Sequence, residues 1–155
     1  MDLNETAEIV SQIEMDEMTH TVRNVGRANA KRITSALDVY EMVRKRLRYE
    51  DQEEVFAIML NCANKVIDIK FVALGGTTSA SVSIKQICRY AVMTLASGVI
   101  LVHTHPSGNT TPSRQDDRLT CDLNKALKMF EISLCDHVII GDGFYSYAND
   151  GRTMD

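Results

Sequence analysis

The stretch EEVFAIMLN, residues 53–61, carries an unbroken apolar run from Val55 to Leu60. A half-exposed strand would alternate polar and apolar residues. A run without alternation needs cover on both faces, so it predicts a central strand with layers above and below it. A second run of this kind, VILV at 99–102, leads directly into His103-Thr104-His105. After the turn NCANK, KVIDIKFVAL (65–74) predicts a partner strand and an antiparallel hairpin. Ser83 is placed to cap a helix carrying Ile84, Ile87, Cys88, Ala91 and Leu95 on one face, with Gly98 as its stop signal. A further helix opens near Ser113, with Asp116, Leu119, Leu123, Ala126, Leu127 and Phe130 at helical spacing. ISLCDHVIIG (132–141) predicts a strand, and after the turn GDG so does FYSYA (144–148). Upstream, Ser35 and Asp38 form a capping pair for a helix with Leu37, Tyr40, Val43 (or Met42) and Leu47 on one face. The order helix, two strands, helix, strand, helix, two strands implies an α/β (or α+β) fold, a mixed central sheet sandwiched by helices. Residues 1–31 read as one or two short helices.

A chain of 155 residues suits one domain with a real core, and its 45% hydrophobic and 25% charged residues are ordinary for a globular protein. The net charge of -4 argues against a general polyanion binder. Charge is uneven, however: residues 1–19 hold six acids and no Lys or Arg, while residues 23–48 hold eight Lys/Arg, including Arg44, Lys45, Arg46 and Arg48. Such a run is the usual composition of a solvated helix face. The acidic start MDLNETAEIV lacks the apolar segment of a signal peptide, and no run reaches transmembrane length. Cys62, Cys88, Cys121 and Cys135 form no CxxC pair. The expectation is a cytoplasmic protein with reduced thiols and no membrane partner, its cysteines acting as small buried residues. GGTTSAS at 75–81 lacks the lysine and spacing of a phosphate-binding loop.

The segment HTHPSGNTTPSRQD (103–116) holds both prolines and two of the four histidines. Side chains at i and i+2 of a strand share a face, so His103 and His105 point together. Pro106, Gly108 and Pro112 stiffen the return, and seven residues separate His105 from Ser113. Asp116, on the first turn of the next helix, can reach back over the strand end. Two imidazoles and a carboxylate leave one position of a four-coordinate Zn2+ open, as catalytic sites require. Ser113 and Asp116 taken alone predict only a helix cap. The same donor set also suits Fe(II). Nucleobase deaminases need H-x-E and CxxC, and neither is present here.

This segment resembles the JAMM (MPN+/JAB) metalloprotease signature, in which H-x-H is followed after seven residues by S-x-x-D. PSG at 106–108 and PS at 112–113 make it similar to the bacterial RadC-type branch. EVFAIML (54–60), GGTTSASVS (75–83), VILVHTHPSG (99–108) and DHVIIGDGFYS (136–146) extend the resemblance over roughly residues 35–150. It implies a JAB/MPN architecture of the cytidine-deaminase-like kind, with residues 1–34 as an N-terminal helical segment, 35–150 as the domain and 151–155 as a tail. It implies Zn2+ held by His103, His105 and Asp116, with Glu54 taking a proton from the zinc-activated water and Ser113 stabilising the oxyanion. The residues alone do not choose Glu54 over Glu53. Thr104 stands where the branch usually has Asn, and faces away from the metal. His137, in the family's Asp-His pair, is assigned a structural hydrogen bond, on one face with Cys135 and Ile139 by strand parity. Support of a metal ligand is the alternative.

The leading expectation is therefore a zinc metallopeptidase acting on a protein or peptide substrate. A RadC-like accessory role in DNA repair or mobile-element maintenance is the second: the DNA-repair name of the resembled family and the basic Arg44–Arg48 cluster favour it, while the acidic net charge and the incomplete hairpin resemblance of NVGRANAKRI (24–33) count against it. A metal-dependent nuclease ranks lower, because only one mononuclear set is visible.

Overall fold

In the computed structural model, which describes residues 30–75 and 82–155, every position of the first strand, β1 (Glu54–Leu60), is buried. Cover on both faces is what its sequence demands. β1 pairs antiparallel with β2 (Val66–Leu74) on one side and with β3 (Gly98–Thr104) on the other. β4 (Ser133–Ile140) runs parallel to β3, and β5 (Phe144–Ser146) closes the edge antiparallel. The sheet order is β2-β1-β3-β4-β5, a mixed sheet in an α/β fold.

Helix α1 (Ala36–Arg44) covers one face. Its Ala36, Val39 and Val43 pack with Phe56, Ile58, Leu60, Ile100, Val102, Val138 and Ile140. Helices α2 (Ile84–Met93) and α3 (Arg114–Lys128) cover the other face. There Ile87, Cys88, Ala91, Leu119, Leu123 and Leu127 meet Val55, Ala57, Met59, Val99 and Leu101. A four-residue helix, α4 (Tyr147–Asp150), follows β5.

Several local expectations give way to packing. α1 buries Ala36, Val39 and Val43; of the predicted face, Val43 is in the core and Tyr40 and Leu47 pack partly buried against it, but Leu37 is exposed. α2 ends at Met93, because Leu95 adopts a positive φ of 52° and turns outward, exposed. Gly98 is no stop signal; it opens β3, where a Cβ would lie 2.5 Å from Cys135 Sγ. FYSYA is a strand only to Ser146, whose hydroxyl accepts from Asn149 N and starts α4. Phe130 lies beyond the end of α3 and is exposed.

Of the cysteines only Cys88 is buried; Cys62 is exposed, and Cys121 and Cys135 are intermediate. Cys135 also breaks the expected parity of β4. Val99 pairs with Leu134 but Ile100 pairs with Asp136, so Cys135 is an extra, bulged residue. It packs on the α1 side, whereas His137 pairs with Leu101 and turns toward α3. The predicted N-terminal helices and residues 24–29 of the hairpin-like stretch lie outside the described residues, as do residues 76–81 of GGTTSAS.

Candidate metal centre

β3 brings His103 to the end of the sheet on the side covered by α2 and α3. It stands opposite Val55 on β1 and beside Ile139 on β4. His105 lies one step past the strand, and its N–H donates to Ile140 O at 2.7 Å, which ties it to β4. The chain then turns sharply. Gly108, with φ of 82°, donates its N–H to His105 O and accepts from Asp142 N. Gly141 backs this turn so closely that a Cβ there would lie 2.3 Å from Gly108 O. The turn delivers Asn109 O to within 2.7 Å of His105 Nδ1. Ser113 then caps α3. Its Oγ accepts from Asp116 N, and its N–H donates to Asp116 Oδ2 at 2.6 Å. The cap therefore aims Asp116 at the strand end.

One nitrogen from each of His103 and His105 and a carboxylate oxygen of Asp116 lie within 4.8 Å of one another. His103 Nε2 is 2.8 Å from His105 Nε2 and 3.2 Å from Asp116 Oδ1. His103 and Asp116 are fully buried, and His105 is slightly exposed. A carbonyl oxygen only accepts, so His105 must carry its proton on Nδ1 and present a bare lone pair at Nε2. Asp116 Oδ1 is buried and has no hydrogen-bond partner. Burial works to raise the Asp116 pKa, and the hydrogen bonds from Ser113 work against it. Electron-pair donors that converge in a largely buried site form a group that could hold a cation. Two imidazoles and one carboxylate fit a zinc ion with one position open, and equally fit other first-row divalent metals.

Glu54 does not join this group. The β1–β3 register sets Val55 opposite His103, so Glu54 leaves the sheet on the other face, beside Thr104. Thr104 Oγ1 accepts from Glu54 N at 2.9 Å. The Glu54 carboxylate is fully buried, and its Oε2 accepts from Arg48 N and Tyr49 N. Its Oε1, like Asp116 Oδ1, is buried without a partner. These are the two such side-chain atoms among the described residues, and both lie at the same end of the sheet. Glu53 instead lines an open groove with Asp51, Gln52, His105, Asn109 and Ser113.

Sequence reasoning gave no role to Thr120 or Tyr147, yet both border the site. His137 Nε2 lies 2.7 Å from His103 Nδ1, and Thr120 Oγ1 lies 2.6 Å from His137 Nδ1. Tyr147 stacks on the His137 ring at a centroid distance of 4.8 Å, and its hydroxyl donates to Asp117. Asp117 is in turn held by Arg152 Nε and Nη2. Asp136, next to His137, accepts from Ser146 Oγ, Ala148 N and His137 N, which fastens β4 to β5 and α4. Thr120 stands four residues after Asp116, one turn along the same helix face. That spacing is the one sequence signal that could have found it.

A mixed sheet covered on both faces, with H-x-H leaving a central strand and an aspartate arriving from the next helix, defines a JAB-type domain. The chain belongs to the RadC-like JAB domain family, whose model matches residues 33–152. It is 33% identical over 145 residues to a UPF0758 protein of Streptococcus gordonii, covering 91% of this chain and 64% of the relative. A UPF0758 protein of Chlorobium phaeovibrioides is 34% identical over 146 residues, covering 94% of this chain and 64% of its own length. One from Caldanaerobacter subterraneus is 40% identical over 111 residues, covering 72% of this chain and 48% of its own. The chain thus spans less than two thirds of the length of these relatives, whose designation states no reaction. Among the described residues, no helix is long and apolar enough to cross a membrane.

Proposed function

We propose that this chain is a zinc-dependent hydrolase of amide bonds, peptide or isopeptide, working in the cytoplasm. The observation that carries the reading is the convergence of one nitrogen from each of His103 and His105 with the buried Asp116 carboxylate, whose Oδ1 has no hydrogen-bond partner. His103, His105 and Asp116 hold the metal. When bound, zinc supplies an electrophile and lowers the pKa of a coordinated water to about 7. Ser113 lines the groove beside His105, and its Oγ accepts from Asp116 N. Its remaining O–H is available to donate to an oxyanion developing on the substrate carbonyl. Glu54, with one oxygen free at the strand end, accepts a proton and returns it to the leaving amine. Glu54 leaves β1 on the face away from His103, so this role requires its carboxylate to reach past the end of the sheet. The open groove along Asp51, Gln52, Pro106 and Asn109 suits an extended peptide.

Metal analysis of the purified protein, joined to cleavage of a peptide library, tests this reading. Glu54→Gln should keep the metal and lose hydrolysis by at least about a hundredfold. Turnover at the wild-type rate would remove Glu54 from the mechanism. His103→Ala and Asp116→Ala should each lose the metal; full occupancy in either would refute the ligand assignment.

A second reading, an accessory role on DNA, draws on Arg44 and Arg48, which line a cleft shared with Thr104 and His105. Glu50 and Asp142 line the same cleft and oppose a polyanion. A DNA titration at low salt decides it, since phosphate contacts are strongest there.

A further inference from the structure

Thr120 Oγ1 lies 2.6 Å from Asp116 O and 2.6 Å from His137 Nδ1. A hydroxyl has one proton, and the Asp116 carbonyl can only accept. Two acceptors at this distance would repel, so the Thr120 proton goes to Asp116 O. Thr120 Oγ1 must then receive the Nδ1–H of His137. His137 is fully buried, and among the described residues its ring nitrogens hydrogen-bond to Thr120 and His103 and to no carboxylate. An uncharged ring is favoured there. A neutral imidazole with its proton on Nδ1 has a lone pair on Nε2. That lone pair accepts from His103 Nδ1, which is 2.7 Å away. His103 is left with a bare Nε2, the atom that faces His105 and Asp116.

We propose that Thr120 and His137 are positioning residues that set the tautomer of His103, so that its Nε2 is held open to the metal. The relay runs from the Asp116 carbonyl through the Thr120 hydroxyl and the His137 ring to His103. It begins on the backbone of one ligand and ends on the ring of another, so α3 and β3 must be in register before the site is formed. The stacked Tyr147 ring fixes the plane of His137 from the side. Metal-bound histidines commonly donate their second N–H to a carboxylate or a carbonyl. Here a neutral imidazole takes that part, and it does so without adding a negative charge beside buried Asp116.

The proposal rests on the metal reading above, so its test has two arms. In the first, Zn2+ affinity is measured by competition with a chromophoric chelator, and Co2+ absorption is recorded, for wild type, Thr120→Val, His137→Phe and His137→Gln. Phe keeps the bulk and the stacking on Tyr147 but offers no acceptor. Gln carries an oxygen that reaches the position of Nε2. His137→Phe should weaken Zn2+ binding about 10–100-fold and shift the Co2+ bands. His137→Gln should recover most of both, and Thr120→Val should fall between them. Equal affinities and spectra for the Phe and Gln variants overturn the proposal, because packing alone would then account for His137. In the second arm, nitrogen-15 shifts of the histidine rings are read in metal-free protein. Protonated Nδ1 and bare Nε2 at His137 are expected; the opposite tautomer also overturns the proposal. Wild type that binds no metal would defeat the metal reading, while the ring shifts still decide the relay.

Discussion

At the scale of single residues, the site depends on which atoms lack a partner. Asp116 Oδ1 and Glu54 Oε1 are left open in a structure that satisfies the side chains around them. Steric fit is as specific as hydrogen bonding here. Gly98 must lack a side chain because the Cys135 bulge fills the place of its Cβ. That same bulge turns His137 toward His103. Gly98→Ala is expected to destabilise the fold by about 1–3 kcal/mol, as overpacking does. Removing the opposing sulphur should relieve most of it. Urea unfolding of Gly98→Ala, Cys135→Ala and the double variant checks this. Additive losses in the double variant would show that the two positions do not conflict.

At the scale of elements, caps set where helices start and therefore where ligands point. The Ser113–Asp116 cap on α3 and the Ser35–Asp38 cap on α1 have the same reciprocal bonding. Only in the first does the aspartate also face two histidines. In α1, Asp38 Oδ2 accepts from Thr34 N, Ser35 N and the Thr34 hydroxyl. The Thr34 N–H bond, followed by the hydroxyl bond, lowers its pKa from 3.8 to about 2. The folded value lies below the unfolded one, so this contribution is present above about pH 4 and is lost as pH falls toward 2. Asp38 is partly exposed, and solvent screening keeps the effect small. Asp38→Ala should cost about 1 kcal/mol near neutral pH. The gap between variant and wild type should narrow below about pH 4. Denaturant melts along a pH series would show it, and a gap constant with pH would contradict it.

At the scale of the whole molecule, the proposed metal site joins three parts: the end of β3, the turn backed by Gly141 from farther along the chain, and the start of α3. An ion held by all three stabilises only the folded state. At a free concentration one hundred times its dissociation constant it adds about 2.7 kcal/mol. For a domain of this size that raises the melting temperature by about 5–10 °C. Thermal melts with Zn2+ and with a chelator should differ by this amount in wild type and by nothing in Asp116→Ala. A shift retained in that variant would place the ion elsewhere.

The sequence by itself determined the covered sheet, through the unbroken run in β1, and the meeting of His103, His105 and Asp116. Each of these rests on local rules: strand parity, a stiff seven-residue return and an S-x-x-D cap. The tertiary structure alone decided what holds His103 in place and where Glu54 faces. Parity counted along β4 put His137 with Cys135, and one bulged residue reversed that relation. Glu53 and Glu54 are neighbours at the head of an apolar run, and only the register against β3 assigns one to the groove and the other to the buried strand end. Bulges and registers arise from contacts between segments far apart in the chain. No local spacing encodes them.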